Sequence, residues 1–270
     1  LLDQPTAAYL EQEGFSVAVS YDGCQASQDA HRRLANGSSS HSATLAGLRI
    51  ALAELESVEC CAVIAPDTVA GLASSLDDLL ALGVPLVTFT PDWEASWSEA
   101  QLVAFDLALD DFADRWLASY RSGHCMDVEP FDSKIRSHIG GGFPLRSRCP
   151  FGLGELAVAP SGRLYPCDRL VRQDDGGDLC VGQAATGVDH AKVSALRACL
   201  AAPDTECATC ELQGRCMHWC GCVNVMTSGA VGTPSPTVCQ LEQRIIGTAD
   251  RVAATLYDEQ NAAFLAKFYP

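Results

Sequence analysis

Short, nearly unbroken apolar runs alternate with helical patterns over roughly the first 120 residues. FSVAVSY (15–21), VECCAVIA (58–65) and VPLVTFT (84–90) are rich in β-branched and aromatic residues, the pattern of strands buried on both faces. Between them Leu45, Leu48, Leu52 and Leu55 recur at helical spacing, and AGLASSLDDLLALG closes on Gly83, a natural helix stop. This alternation predicts βα units around a parallel sheet. SEAQLVAFDLALDDFADRWLASY adds a long amphipathic helix. Ser98 and Gln101 have capping-box spacing, and Leu102, Phe105, Leu109, Phe112, Trp116 and Tyr120 form one stripe, which is core. Asp3 is placed to cap a first helix that Gly14 ends. Three βα units are too few to close a barrel, so the sheet is open or earlier units are missing. The opening at Leu1, in mid-pattern, is read as the inside of a longer protein.

Beyond residue 122 the pattern changes. Residues 123–144, with Gly, Pro, mixed charge and GGGF at 140–143, read as a linker. A second region covers 145–245. In it LAVAPSGRLY alternates and breaks at Pro160-Ser161-Gly162, a hairpin with Cys167 just past its second strand. Residues 246–270 read as a helical tail.

Charge and sulfur narrow the function. Eighteen Lys and Arg against 34 Asp and Glu leave a formal net charge of −16, which repels nucleic-acid phosphates and anionic lipid. No apolar run reaches the roughly 18 residues of a membrane helix, and no basic, apolar leader opens the chain. A cytoplasmic protein with neither nucleic-acid nor membrane partners is expected. Fourteen cysteines are many for 270 residues, and most follow residue 148. Disulfide frameworks serve small secreted domains with poor cores, which a chain of this length does not need.

The densest stretch, CATCELQGRCMHWCGC (207–222), places Cys207, Cys210 and Cys216 as C-x2-C-x5-C, with Cys220 three residues on and Cys239 eighteen further. Two thiolates two residues apart grip zinc or iron equally well. Upstream, Cys149, Gly162 and Cys167 follow C-x12-G-x4-C. Seven ordered cysteines exceed the needs of one tetrahedral zinc. Cys60 and Cys61 are strand neighbours that point to opposite faces and read as packing. Cys199, in the helical ALRACLAA, reads as a small hydrophobe, and Met217 and Trp219 as shields around a metal site.

The whole array resembles the SPASM domain that follows the barrel in many radical S-adenosylmethionine (SAM) enzymes. GRLYPCDRLV (162–171) and Val181-Gly182 look like the corresponding hairpin exit and turn of anaerobic sulfatase-maturating enzymes. The resemblance implies an α/β chain, the later part of a partial (β/α)6 radical SAM barrel (1–122), followed by a Cys-rich SPASM domain with two auxiliary 4Fe–4S clusters. By that likeness Cys149, Cys167 and Cys220 hold the first cluster, and Cys207, Cys210, Cys216 and Cys239 the second. Sulfatase maturases carry a further cysteine soon after the first, which PFGLGEL (150–156) lacks. Cys180 is the favoured fourth ligand, with Cys222 or an open iron as alternatives. SVAVSYDG and DAHRRLANGSSS look like the fourth barrel strand and its loop, so that Ser20 and Arg32 help hold SAM; an arginine fork suits a carboxylate. Asp168 takes the position of an aspartate that accepts a substrate proton, against a plain reading as a cap or as an ion pair with Arg169 or Arg172.

The family's C-x3-C-x2-C motif for the SAM cluster does not occur in these residues. The expectation is that it lies before Leu1 and that the chain by itself is inactive. The resemblance then implies an intact oxidoreductase carrying SAM and a third 4Fe–4S cluster, fed by an electron donor such as flavodoxin or ferredoxin, that abstracts hydrogen from a peptide or protein and makes a crosslink, an oxidation or a formylglycine. A non-catalytic iron–sulfur or peptide-binding module and a zinc-stabilised structural domain are the competing readings.

Overall fold

The strand and helix alternation is realised as a four-stranded parallel sheet in a computed structural model that describes residues 2–125, 127–202 and 205–270. Helix α1 (Gln4–Gln12) leads to strand β1 (Val17–Ser20), and helices α2 (Gln25–His31) and α3 (His41–Glu54) lead on to β2 (Val58–Ile64). Then α4 (Leu72–Leu82), β3 (Leu86–Pro91), α5 (Glu99–Ser122), β4 (Asp127–Glu129) and α6 (Phe131–Ile139) follow. The strands lie in sequence order, and the register sets Ser20 beside Cys61 and Cys61 beside Thr88.

Local chemistry fixes the helix ends. Asp3 accepts from Thr6 N at 3.0 Å, the Ser98 and Gln101 capping box forms, and Gly83 closes α4 in left-handed geometry. All six stripe residues of α5 are buried. Phe112 is their hub, edge-on to Phe89 at 5.1 Å and to Phe131 at 5.2 Å. Each such ring contributes about 2–3 kcal/mol by leaving water.

Two expectations need correction here. The strands are buried on one face only: β1, β2 and β3 alternate in burial, and partly exposed positions such as Cys61 and Val63 line the other face. An apolar run thus marks a strand without saying that both sides are covered. Nor is 123–144 a linker, because it contains β4, paired in parallel with β3, and α6, which buries Phe131 and Ile135. Its Gly and Pro residues flank these elements.

The chain divides into two units, Leu1–Arg136 with Arg244–Pro270, and Ser137–Gln243. In the second, strands β5 (Ala157–Val158), β6 (Arg163–Tyr165), β7 (Gly182–Gln183) and β8 (Gly187–Val188) form an antiparallel meander. The β5–β6 turn is the expected one, with Gly162 at φ +82 and its N–H donated to Ala159 O at 2.8 Å. Leu164, Val181 and Val193 make its small core. Helices α7 (His190–Ala201), α8 (Thr205–Ala208) and α9 (Gly221–Ser228) complete this unit.

The tail begins earlier than expected. Helix α10 (Pro236–Asp258) already contains Cys239, and α11 (Ala262–Phe268) ends the helical structure. Lys267 of α11 pairs with Asp127 at 2.6 Å and with the buried Asp132 at 2.5 Å, fastening the C-terminus to the β4–α6 segment. Among the described residues no helix is long and apolar enough to cross a membrane.

The tightest approach in the first unit is at Gly23, φ +86, where an added Cβ would stand 2.3 Å from Ser75 Cβ. Gly14 also has positive φ but faces open space. Gly23→Ala is expected to cost at least about 3 kcal/mol, from clash added to backbone strain, and Gly14→Ala about 1 kcal/mol from strain alone. Chemical denaturation of the two variants checks the ordering; equal losses would contradict it.

Candidate metal centre

Four of the seven arrayed cysteines converge on one space. Cys207 in α8, Cys210 and Cys216 in the turns that follow, and Cys239 in the first turns of α10 line a cavity of about 810 Å³, together with Glu206, His218 and Glu242. Tight turns aim them: Cys210 N donates to Cys207 O, Cys216 N to Leu212 O and Cys239 N to Ser235 O. Glu242 Oε2 accepts from Met217 N at 2.9 Å, which holds the Cys216–Cys220 loop against α10. His218 Nδ1 lies 3.3 Å from Cys216 Sγ. Burial, and then the Arg148 charge, lower the His218 pKa from its usual value.

The spacing of these thiols bears on what they can hold. Tetrahedral zinc, with bonds of about 2.3 Å, needs sulfurs about 3.8 Å apart. Among the described residues, the set of three or more ligand atoms lying within 4.8 Å of one another is Glu155, Cys167 and Asp168, not the four thiols of the cavity. A wide cavity lined by four thiols fits a multinuclear iron–sulfur cluster better than a single ion.

The second group of thiols is Cys167, Cys220 and Cys222, with Cys149 close by. Cys167 follows β6, and Cys220 caps α9, of which Cys222 forms the first turn. Cys220 Sγ and Cys222 Sγ are 3.5 Å apart, and Cys167 is near enough to Cys222 for each to influence the other's ionisation. The neighbouring Cys222 and burial raise the Cys167 pKa. Cys222 lowers that of Cys220. Cys167 favours the Cys222 thiolate, but Cys220 and burial outweigh it and push Cys222 up to about 12. Cys149 is near enough for its charge to act on Cys220 and for that of Cys167 to act on it.

Two buried donors beside these thiols, Arg148 Nε and Trp219 Nε1, have no hydrogen-bond acceptor. Buried N–H groups are rarely left so. Inorganic sulfides accept hydrogen bonds, so both the donors and the thiols suit an iron–sulfur group.

The other candidates divide. Cys180 Sγ faces Gly182 O at 3.3 Å and lies near the Tyr165 phenol; it is not joined to the Cys167–Cys222–Cys220 group. Asp168 is exposed, and its Oδ1 accepts from Arg169 N at 2.8 Å and from Cys167 Sγ at 3.3 Å. Glu155 was not foreseen; it lies in the stretch where the expected cysteine is missing. In the first unit, Ser20 ends β1 and Arg32 follows α2. Arg32 Nε is held at 2.7 Å by the buried Asp22, whose other oxygen accepts from Val63 N. The Arg32 charge reaches Cys61, the register partner of Ser20, so both residues belong to the same end of the sheet.

The remaining cysteines lie apart from these groups. Cys60 is fully buried in β2, and burial pushes its pKa up to about 12. Cys199 lies in α7 as expected, but exposed, so it packs in no core. Burial raises Cys24, but hydrogen bonds with Ser27, Ser74 and Ser75 outweigh this and hold its thiol below the usual range.

No protein-family model matches the chain. Over 236 residues it is 24% identical to the serine-type anaerobic sulfatase-maturating enzyme of Klebsiella aerogenes, a match covering 82% of this chain and 55% of that protein. The chain thus spans about half the length of this curated relative. Among solved structures it is similar to a tagged form of anSMEcpe with bound AdoMet, at a TM-score of 0.76 and 16% identity over 99% of this chain and 73% of that one. Native anSMEcpe with bound AdoMet and the Cp18Cys peptide gives 0.74 and 16% over 96% and 74%. These likenesses show that the chain shares the α/β fold of those structures.

Alkylation of the reduced, metal-free chain tests the placement of the outlying thiols. Cys199, exposed, and Cys24, with its lowered pKa, are expected to react with iodoacetamide well before Cys60. Peptide mass spectrometry at short times reads the order, and Cys60 labelling as fast as Cys199 would contradict it.

Proposed function

We propose that this chain is the later part of a radical SAM maturase that modifies a peptide or protein, with Ser137–Gln243 as its auxiliary-cluster region. The observation that carries the reading is the convergence of Cys207, Cys210, Cys216 and Cys239 on one cavity. The thiols around Cys222, the unpaired donors Arg148 Nε and Trp219 Nε1, and the fold likeness to AdoMet-bound structures support it. One of those structures also contains a peptide, which favours a peptide substrate for this chain as well.

In this reading Cys149, Cys167 and Cys220 hold a first 4Fe–4S cluster and Cys207, Cys210, Cys216 and Cys239 a second. When bound, the clusters would take up electrons from a substrate oxidised at carbon. The chain's own residues would do the rest. Arg32, pinned through Nε by Asp22, keeps its two terminal nitrogens for the carboxylate of AdoMet, and Ser20 adds a hydroxyl at the same end of the sheet. Asp168 is exposed and already accepts from two donors on one oxygen, which leaves its second oxygen to take a proton from substrate. Oxidation of a serine to formylglycine is the specific form favoured by the Klebsiella aerogenes relative.

Anaerobic reconstitution tests the reading. The chain is expected to take up about eight irons, four per cubane, with matching sulfide and visible absorption. Cys207→Ser combined with Cys210→Ser is expected to remove about half of the iron. Stoichiometric zinc, or disulfides among these seven cysteines, would contradict it.

A further inference from the structure

A histidine stands inside the cysteine array of the second unit without a part in the ligand set. His218 is 7% exposed, lines the cavity of Cys207, Cys210, Cys216 and Cys239, and brings its Nδ1 to hydrogen-bonding distance, 3.3 Å, from Cys216 Sγ. The four thiols already supply one ligand for each iron of a cubane. His218 is therefore left to act on a ligand sulfur rather than on iron.

Its place is fixed from both sides. Met217 N donates to Glu242 Oε2 at 2.9 Å, and His218 O accepts from Asn224 Nδ2 at 2.8 Å. Glu242 and Asn224 are both buried, and Asn224 Nδ2 also donates to Val231 O at 2.9 Å. Buried polar groups with satisfied partners are rigid, so the protein itself clamps the backbone around the imidazole and presets the ring against Cys216. A second side-chain donor, Gln243 Nε2 at 3.3 Å from Cys239 Sγ, is exposed, where water can replace it.

The state of the sulfur decides where the proton sits. A free Cys216 thiol can donate to Nδ1, but a thiolate bound to iron only accepts. The contact survives iron binding only with the proton on Nδ1. A hydrogen bond to a ligand sulfur draws charge from it and stabilises the reduced, more negative cluster. We propose that His218 donates from Nδ1 to the Cys216 thiolate and raises the reduction potential of the second cluster, making that cluster a better electron acceptor. The assignment rests on the two-cluster reading of Ser137–Gln243.

Redox titration of the anaerobically reconstituted chain, followed by EPR, tests it. In His218→Leu one midpoint potential is expected to move negative, that of the cluster lost when Cys207 and Cys210 are replaced, while the other stays. His218→Asn, whose amide N–H can stand in for Nδ1–H, is expected to restore most of the shift, and both variants to keep the wild-type iron content. Pulsed EPR of the wild-type chain with isotopically labelled histidine, where folding of a variant is not in question, is expected to show a weak nitrogen coupling to the same cluster. An unchanged potential in His218→Leu, equal shifts in His218→Leu and His218→Asn, loss of the second cluster in both, or a nitrogen coupling that is absent or as strong as direct coordination would overturn the proposal while iron still binds. A wild-type chain that takes up no iron would instead overturn the reading beneath it.

Discussion

Cys222, 3.5 Å from Cys220 and near enough to Cys167 for the two to influence each other's ionisation, joins the end of a β-hairpin to the start of a helix more than fifty positions along the chain. Buried thiols gathered in this way are costly as metal-free groups, since burial and mutual repulsion oppose the thiolates that metals require. Burial and the neighbouring thiols raise Cys167 and Cys222, while Cys222 lowers Cys220. Metal binding would convert the arrangement from a liability into a fastening, because ligation free energy becomes folding free energy.

The first unit is held by different means. Its α5 stripe, centred on Phe112, supplies the apolar contact, and Lys267 ties the last helix to Asp127 and Asp132. A polar network gathers at the end of β1. There Asp22 receives Arg32 and Val63 N, while Ser75 Oγ donates to its carbonyl. A buried carboxylate with this many donors is rigid, and it fixes the one arginine that the proposed function assigns to AdoMet.

What could be read in the chain beforehand was whatever short-range spacing encodes. The caps at Asp3 and Ser98, the stripe of α5, the turn at Gly162 and the grouping of Cys207, Cys210, Cys216 and Cys239 all follow from intervals of a few residues or from an array matched as a whole. Features made by long-range pairing were not legible. Strand β4 has three residues and is a strand because β3 lies beside it. Asp22 becomes conspicuous only when Val63, 41 positions away, reaches it. The sequence favoured Cys180 over Cys222, whereas in the fold it is Cys222 that lies beside Cys220. No spacing marked Glu155, which comes within 4.8 Å of the Cys167 sulfur only in the fold.

The central claim is that the cysteines of the second unit hold iron and sulfide in two cubanes. X-ray absorption at the iron edge of the anaerobically reconstituted chain tests it most directly. The account predicts iron surrounded by sulfur with a strong iron–iron shell, the mark of a cluster. Isolated iron without that shell, or a sample in which zinc fills the thiol sites, would contradict it.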